Sequence, residues 1–267
     1  MSDNGHEINK ELLVLKDVST GYSSKGKLGI LHSGIGTSVH SGEFVALLGP
    51  NGIGKSTLIK TITGIIPTLA GTVYVGSKSL STMSNREISC QISVVLTDRI
   101  DDGYITAFDI VTTGRYPHGS FTGKLTEDDR LKIWRALNVV KAEHLADRTF
   151  ITLSDGEKQK VLIARAIAQD TPLIILDEPT AFIDSPGKIE VMLLLQNLVE
   201  NHDKSIIMTT HDTEMALSNA SKLWLLGHEN SFYQGEVDAL VKEGLINRIF
   251  DREGVTFNPR SFKFEKK

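Results

Sequence analysis

The sequence has a single cysteine, Cys90, among 267 residues, which excludes an internal disulfide and a cysteine-based metal cluster. It also lacks any uninterrupted apolar run close to the roughly 18–20 residues that a membrane-spanning helix needs. The best candidate, residues 191–195, stops at Gln196 and is typical of a buried helix face. Residues 1–4 lack the basic and apolar parts of a secretory signal. We therefore expect a soluble chain that would reach a membrane only through a partner.

A strong positive charge is missing as well, because the formal net charge is -4. No nucleic-acid partner held by bulk electrostatics is therefore expected. The charged fraction of 23% and the hydrophobic fraction of 40% are ordinary for a globular protein with a sizeable core.

Apolar strands alternate with helices over much of the chain, which indicates a parallel α/β sheet. The continuously apolar residues 44–48 are typical of a strand covered on both faces. We predict strands at 12–18, 43–48, 71–75, 173–176, 205–209 and 222–226, and helices at 55–63, 188–200 and 213–219. Residues 10–240 are predicted to form one domain with a helical block at about 98–165, followed by a tail, 241–267, of unassigned role.

The helical block has its own start signals. Thr106 and Thr126 are each placed to cap the first turn of a helix. The second of these helices carries an apolar repeat that we predict to face the core, made of Leu131, Trp134 and Leu137.

A glycine-rich segment between a predicted strand and a predicted helix matches the Walker A pattern. Its glycines let backbone amides turn toward the β- and γ-phosphates of a nucleotide. Lys55 would place a cation on the same oxygens, and the Ser56 hydroxyl could bind Mg²⁺. The predicted nucleotide contacts are Gly49, Pro50, Asn51, Gly52, Ile53, Gly54, Lys55, Ser56 and Thr57.

Two carboxylates follow the buried strand at 173–176, at the sheet edge where ligands usually bind. Asp177 would hold the magnesium shell, and Glu178 would orient or deprotonate the attacking water. His211 ends the neighbouring strand pattern, so a γ-phosphate contact is favoured over a purely structural histidine.

Residues 154–159, the capping segment, allow two interpretations. Ser154 and Glu157 have the spacing of a capping box, so the segment would begin a helix. Asp155 and Gly156 within the box leave bare amides at a helix N-terminus, which is a ready anion site. We therefore predict that Ser154, Asp155, Gly156 and Glu157 also contact a nucleotide.

Together these motifs resemble the nucleotide-binding domain of ABC transporters over about residues 12–234. The resemblance implies a P-loop NTPase (RecA-like) α/β core with an antiparallel β subdomain and an inserted α-helical subdomain. ATP and Mg²⁺ would be its cofactors. Tyr22 would stack on adenine, and Asp184 would lie in a loop that crosses between two copies. Ser154 and Gly156 would bind the γ-phosphate held by the second copy.

Two positions depart from the pattern of that family. Where the family has a glutamine that contacts magnesium and water, this chain has Thr97, followed by Asp98. We predict that Thr97 or Asp98 substitutes through a water, and Thr97 is counted among the candidate catalytic residues with Glu178 and His211. Residues 181–184, the crossing loop, are bulkier than usual, and would either adjust closure or pack more tightly.

Residues 114–118, Gly-Arg-Tyr-Pro-His, resemble the branch of the family that takes up iron–siderophores, haem and cobalamin. An ordinary proline-stopped helix end is the alternative. The resemblance implies an ATPase that pairs with a second copy of itself and docks on two transmembrane permease subunits. It would lie peripherally on the cytoplasmic side of the inner membrane and be linked indirectly to a substrate-binding protein.

Two other classes of protein stay open. One is a soluble ABC ATPase that serves assembly or regulation without transport. The other is a nucleotide-gated regulator with feeble hydrolysis, which the missing glutamine at Thr97 would fit.

Overall fold

The computed structural model describes residues 10–24, 27–96, 103–119 and 124–267. The strands are β1 (Glu11–Ser24), β2 (Lys27–His40), β3 (Phe44–Leu48), β4 (Ala70–Val75), β5 (Lys78–Ser79), β6 (Ile92–Val95), β7 (Leu173–Asp177), β8 (Ser205–Thr209), β9 (Lys222–Leu226), β10 (Phe232–Glu236), β11 (Val255–Asn258) and β12 (Lys263–Lys266). The helices are α1 (Lys55–Ile62), α2 (Asn85–Ser89), α3 (Ala107–Thr113), α4 (Glu127–Val139), α5 (Asp155–Ala168), α6 (Ser185–Asn201), α7 (Thr213–Asn219), α8 (Val237–Lys242) and α9 (Leu245–Phe250).

The central sheet has six strands in the order β10-β9-β3-β8-β7-β6. Its strands are parallel except β10, which pairs antiparallel with β9. Every residue of β3, β7 and β8 is buried, as expected of strands covered on both faces. Because parallel strands end at the same edge, the segments that follow β3, β7 and β8 meet there. This part of the predicted fold, a P-loop α/β core, is confirmed.

A second, antiparallel sheet has the order β2-β1-β4-β5 and supplies the predicted β subdomain. Its inner face shares one hydrophobic cluster with α1 and the central sheet, including Val18, Ile35, Ile59 and Trp224. Our sequence analysis did not identify β2. That strand carries three glycines, at 29, 34 and 36, which weaken a strand signal because they have no side chain to pack.

Helices α3, α4 and α5 lie between β6 and β7 in the chain and pack around their own part of the core. Each begins with a capping box, and two of the caps are the predicted Thr106 and Thr126. The predicted apolar repeat of α4 is partly wrong, because Leu131 and Trp134 are 56% and 45% exposed and only Leu137 is fully buried. The buried face of α4 consists instead of residues spaced by three and four, namely Asp129, Ile133, Ala136 and Leu137.

Residues 237–267 fold against the central sheet instead of extending from it. Ile246 and Phe257 are buried in a cluster with residues of β3, β9 and α7. Asp251 accepts hydrogen bonds from the Phe257 amide and the Thr256 hydroxyl, which ties α9 to β11. The predicted division at residue 240 falls within α8. In the part of the chain that the structure describes, no helix is both long and apolar enough to span a bilayer.

Candidate active site

The phosphate loop, residues 49–54, connects β3 to α1. A Cβ on Gly49 would lie 2.5 Å from the Leu226 carbonyl oxygen, so only glycine fits there. Gly52 and Gly54 have φ values of 75° and 112°, which other residues adopt only with strain. Gly54 is the N-cap of α1 and makes no side-chain cap, so the first amides of the helix stay available to an anion.

Lys55 closes over this loop from the first position of α1. Its Nζ donates to the carbonyl oxygens of Gly49 and Pro50 at 2.8 and 3.2 Å. Burial lowers the pKa of the Lys55 ammonium, while the nearby charges of Glu178 and Asp177 act in the opposite direction. The loop thus holds a buried cation close to two carboxylates.

The two carboxylates are fixed by one threonine of the neighbouring strand. Thr209 is paired with Asp177 in the register of β7 and β8. Its hydroxyl donates to Asp177 Oδ1 at 2.6 Å and accepts from the Glu178 amide at 2.8 Å. Our sequence analysis missed Thr209, whose one signal is its place at the end of the strand next to Asp177.

Glu178, the predicted general base, has a left-handed backbone with φ of 52°. Such a conformation in a non-glycine residue costs roughly 1–3 kcal/mol and is typical of functional sites. It brings the Glu178 carboxylate to within 2.6 Å of His211 Nε2. The structure therefore joins two of the three predicted catalytic residues in direct contact, and their catalytic roles stay predictions.

The third, Thr97, lies outside the described residues together with Asp98, so the predicted substitution for glutamine stays a prediction.

Tyr22, the predicted adenine contact, lies within β1 and not after it. Its hydroxyl is hydrogen-bonded to that of Thr57 in α1, and its side chain is 58% exposed. A ring that is tethered at its hydroxyl and more than half exposed is suited to stack on a base.

The capping segment begins α5, which confirms the predicted helix start. Ser154 accepts from the Glu157 amide, while its hydroxyl and its own amide both donate to Glu157 Oε2 at 2.9 and 2.8 Å. Arg148 donates to the other Glu157 oxygen at 2.8 Å. Ser154 and Asp155 are nevertheless exposed. The segment thus presents a rigid helix start to the outside.

The crossing loop presents an aromatic side chain in the same way. Phe182 is 81% exposed and has a φ of 64°. Ile183 next to it is buried in the core, and Asp184 caps α6 by accepting from the Gly187 amide at 3.2 Å. Tighter packing within the chain, one of our two expectations for this loop, is therefore wrong for Phe182.

Bare amides, a buried cation and carboxylates at one sheet edge are suited to hold a polyphosphate and hydrolyse its terminal bond. The fold and site thus define a P-loop nucleotide-binding ATPase. A family model of the ABC transporter matches residues 32–181, more than half of the chain. The protein therefore belongs to the ABC transporter family, whose ATP-binding components bind ATP.

Two relatives match nearly the whole chain. An uncharacterised ABC transporter ATP-binding protein of Methanocaldococcus jannaschii is 36% identical over 96% of this chain and 87% of its own length. The iron(3+)-hydroxamate import ATP-binding protein FhuC of Bacillus subtilis is 31% identical over 94% of this chain and 92% of its own.

Solved structures agree with this assignment. A transporter assigned to the metal-chelate type, in an inward-facing conformation, matches with a TM-score of 0.76 and 30% identity, covering 88% of both chains. A dimeric ATP-binding cassette with ADP and Pi, in a post-hydrolysis state, matches with a TM-score of 0.72 and 25% identity over 84% of this chain and 98% of its own. ABC cassettes thus form dimers, and in import systems they work with permease subunits.

Proposed function

We propose that this protein is the ATP-hydrolysing subunit of an importer for a metal chelate: an iron–siderophore, haem or cobalamin. ATP-driven closure of two copies would do the work on a membrane permease. The observation that carries the proposal is the contact of Glu178 with His211 beside the phosphate loop, found together with an exposed helix start at Ser154. We infer that a second copy supplies the phosphate which this helix start binds.

The residues divide the chemistry between them. The phosphate loop and Lys55 bind the β- and γ-phosphates, and Tyr22 holds the adenine. Glu178 accepts a proton from the attacking water, and His211, 2.6 Å from its carboxylate, keeps that carboxylate oriented and reaches the γ-phosphate. General base catalysis of this kind is worth roughly 10²–10⁴ in rate.

Mg²⁺ would be held by the Ser56 hydroxyl and the Asp177 carboxylate. The fit is good because Asp177 is buried and its Oδ1 accepts from the Thr209 hydroxyl, while none of the described residues donates to its other oxygen. In the described part of the chain, no group of three or more His, Cys, Asp or Glu side chains could hold a metal ion. The ion would neutralise phosphate charge during hydrolysis.

The partners follow from the exposed features. A second copy would receive Ser154, Gly156 and the crossing loop at its nucleotide. Two permease subunits would receive the surface around residues 114–118, at the cytoplasmic face of the inner membrane. Within that motif Arg115 is buried in an ion pair, whereas Tyr116 is 67% exposed. The exposure of Tyr116 supports the proposed docking role, whereas the buried ion pair gives Arg115 a structural role within the chain.

Names of relatives favour a chelate as cargo over the soluble alternative. FhuC is named for iron(3+)-hydroxamate import, and other relatives are named for achromobactin, enterobactin and petrobactin. The test is to co-purify the chain with its permease and to measure ATP-dependent uptake of ferric siderophores, haem and cobalamin into proteoliposomes. Uptake of one cargo that stops with Glu178→Gln supports the proposal. Robust ATP turnover without a permease partner or any uptake would favour the soluble alternative.

A further inference from the structure

A buried histidine lies under the phosphate loop. His32 belongs to β2 of the antiparallel sheet and is only 1% exposed. Its Nε2 lies 2.8 Å from the carbonyl oxygen of Ile53, inside the phosphate loop. Because a carbonyl oxygen can only accept, the imidazole carries its proton on Nε2. Burial lowers the pKa of His32, with the bond to Ile53 acting in the opposite direction, which agrees with a neutral ring.

The other ring nitrogen is left without a partner. Nδ1 of His32 is buried and has no hydrogen-bond partner among the described residues. Such an orphaned atom costs free energy that an apolar side chain of similar size would avoid. A histidine that only filled space here would therefore be a poor choice, so its value must lie in the bond made by Nε2.

That bond sets the direction of one peptide unit. In a planar trans peptide the carbonyl and the following N–H point in opposite directions. Holding the Ile53 oxygen toward β2 therefore aims the Gly54 amide away from β2, into the loop. The fit is close, since a Cβ on Gly54 would lie 3.6 Å from His32 Cδ2 and 3.1 Å from Leu31 Cδ1.

We propose that His32 is a positioning residue for ATP binding: it orients the Ile53–Gly54 peptide so that its N–H faces the phosphates. The same sheet braces α1 at two further points, Tyr22 to Thr57 and Thr20 to Thr61. Those two hydrogen bonds position α1, whereas the hydrogen bond from His32 positions the phosphate loop itself. This role depends on ATP binding alone and not on the cargo or the permease.

The test compares His32→Leu, which keeps the volume and removes the donor, with His32→Gln, whose side-chain amide can still donate. Binding of trinitrophenyl-ATP and the KM for ATP are measured on the full chain. We expect His32→Leu to raise the Kd for trinitrophenyl-ATP and the KM for ATP about tenfold each, equal to about 1.4 kcal/mol. The kcat should change by less than about threefold. His32→Gln should stay within about threefold of wild type. His144→Leu, at an exposed histidine, is the matched control and should change neither constant.

Equal nucleotide affinity in wild type and His32→Leu would overturn the proposal, and so would equal losses in the Leu and Gln variants. If His32→Leu does not fold, His32→Asn takes its place, because its shorter amide cannot reach Ile53. The proposal then requires weaker binding in the Asn variant than in the Gln variant, and equal affinities would refute it. A failed transport assay with intact nucleotide binding would reject the proposed function and leave this inference standing.

Discussion

Replacing Glu178 with glutamine tests the hydrolytic edge directly. Glutamine keeps the size and planarity of the side chain but cannot accept a proton at neutral pH. Because Glu178 faces His211 at 2.6 Å and has the strained backbone of a fixed residue, we expect little rearrangement elsewhere. Loss of a general base should lower kcat by roughly 10²–10⁴, which is about 3–5 kcal/mol of activation free energy.

The affinity for ATP should not fall together with kcat in this variant. Glu178 is one of two negative charges beside Lys55, and a polyphosphate must approach both. Removing one of them reduces the repulsion, so the affinity for ATP should be unchanged or higher in Glu178→Gln. Steady-state phosphate release gives kcat, and equilibrium binding of trinitrophenyl-ATP gives the affinity.

The matched control is Glu229→Gln. Glu229 is exposed and also has a left-handed backbone, with φ of 56°. It therefore controls for the change of a glutamate in that conformation, and its kcat should equal that of wild type. A Glu178→Gln variant that keeps kcat within about threefold of wild type would refute the assignment of Glu178 as base. A large loss of ATP affinity would instead mean that the side chain supports the phosphate loop.

Three further predictions concern stability and pairing. Arg115→Met should lower the free energy of unfolding by about 3–5 kcal/mol in urea titrations, because it leaves buried Asp129 without its cation. Lys78→Met, at an ion pair on the surface, should have a much smaller effect on the same quantity. Burial alone raises the pKa of Asp129, but hydrogen bonds from Thr126 and Arg115 outweigh it and bring the pKa to about 2. The ionised Asp129 therefore contributes about 2 kcal/mol to the free energy of unfolding. This contribution is complete above pH ~4 and is lost as the pH falls toward 2. Asp129→Asn should lack that part of the acid transition, and an unchanged acid transition would contradict the reasoning. Phe182→Asn should leave the free energy of unfolding unchanged or about 0.5–1 kcal/mol higher, since asparagine tolerates a left-handed backbone. The same variant should show weaker ATP-dependent pairing in size-exclusion chromatography. Undiminished pairing would remove Phe182 from the interface.

The predictable parts of this protein are those encoded by local pattern. The apolar run of β3, the glycines of the phosphate loop and the caps of α3, α4 and α5 each lie within a few residues of the structure they specify. Their strands, helix starts and order along the chain were therefore predicted closely. Loop glycines and caps act through the backbone beside them, so no tertiary information is needed to recognise them.

What was missed depends on register between distant segments. Thr209 contacts Asp177 across 32 residues of sequence, and that contact exists only because β7 and β8 pair in one particular register. His32 meets Ile53 because a glycine-rich strand, itself not predicted, passes under the loop. For Thr209 the sequence offers its place at a strand end, but it does not give the register that brings this side chain to Asp177, and for the contact of His32 with Ile53 it offers no periodic pattern.

The capping segment combines a structural role with a binding role, and the geometry explains how one short sequence can do both. A capping box satisfies the amide at the third helical position, here that of Glu157, and leaves the amides of Asp155 and Gly156 without an intrahelical partner. Gly156 is not required by its own fold, because a Cβ there would meet nothing nearer than Ile183 Cγ2 at 4.0 Å. A glycine that the chain itself does not need is explained by an approach from outside. In the proposed pair that approach is the γ-phosphate of the second copy, so the internal bonds of the box hold the helix start rigid while its free amides face the ligand.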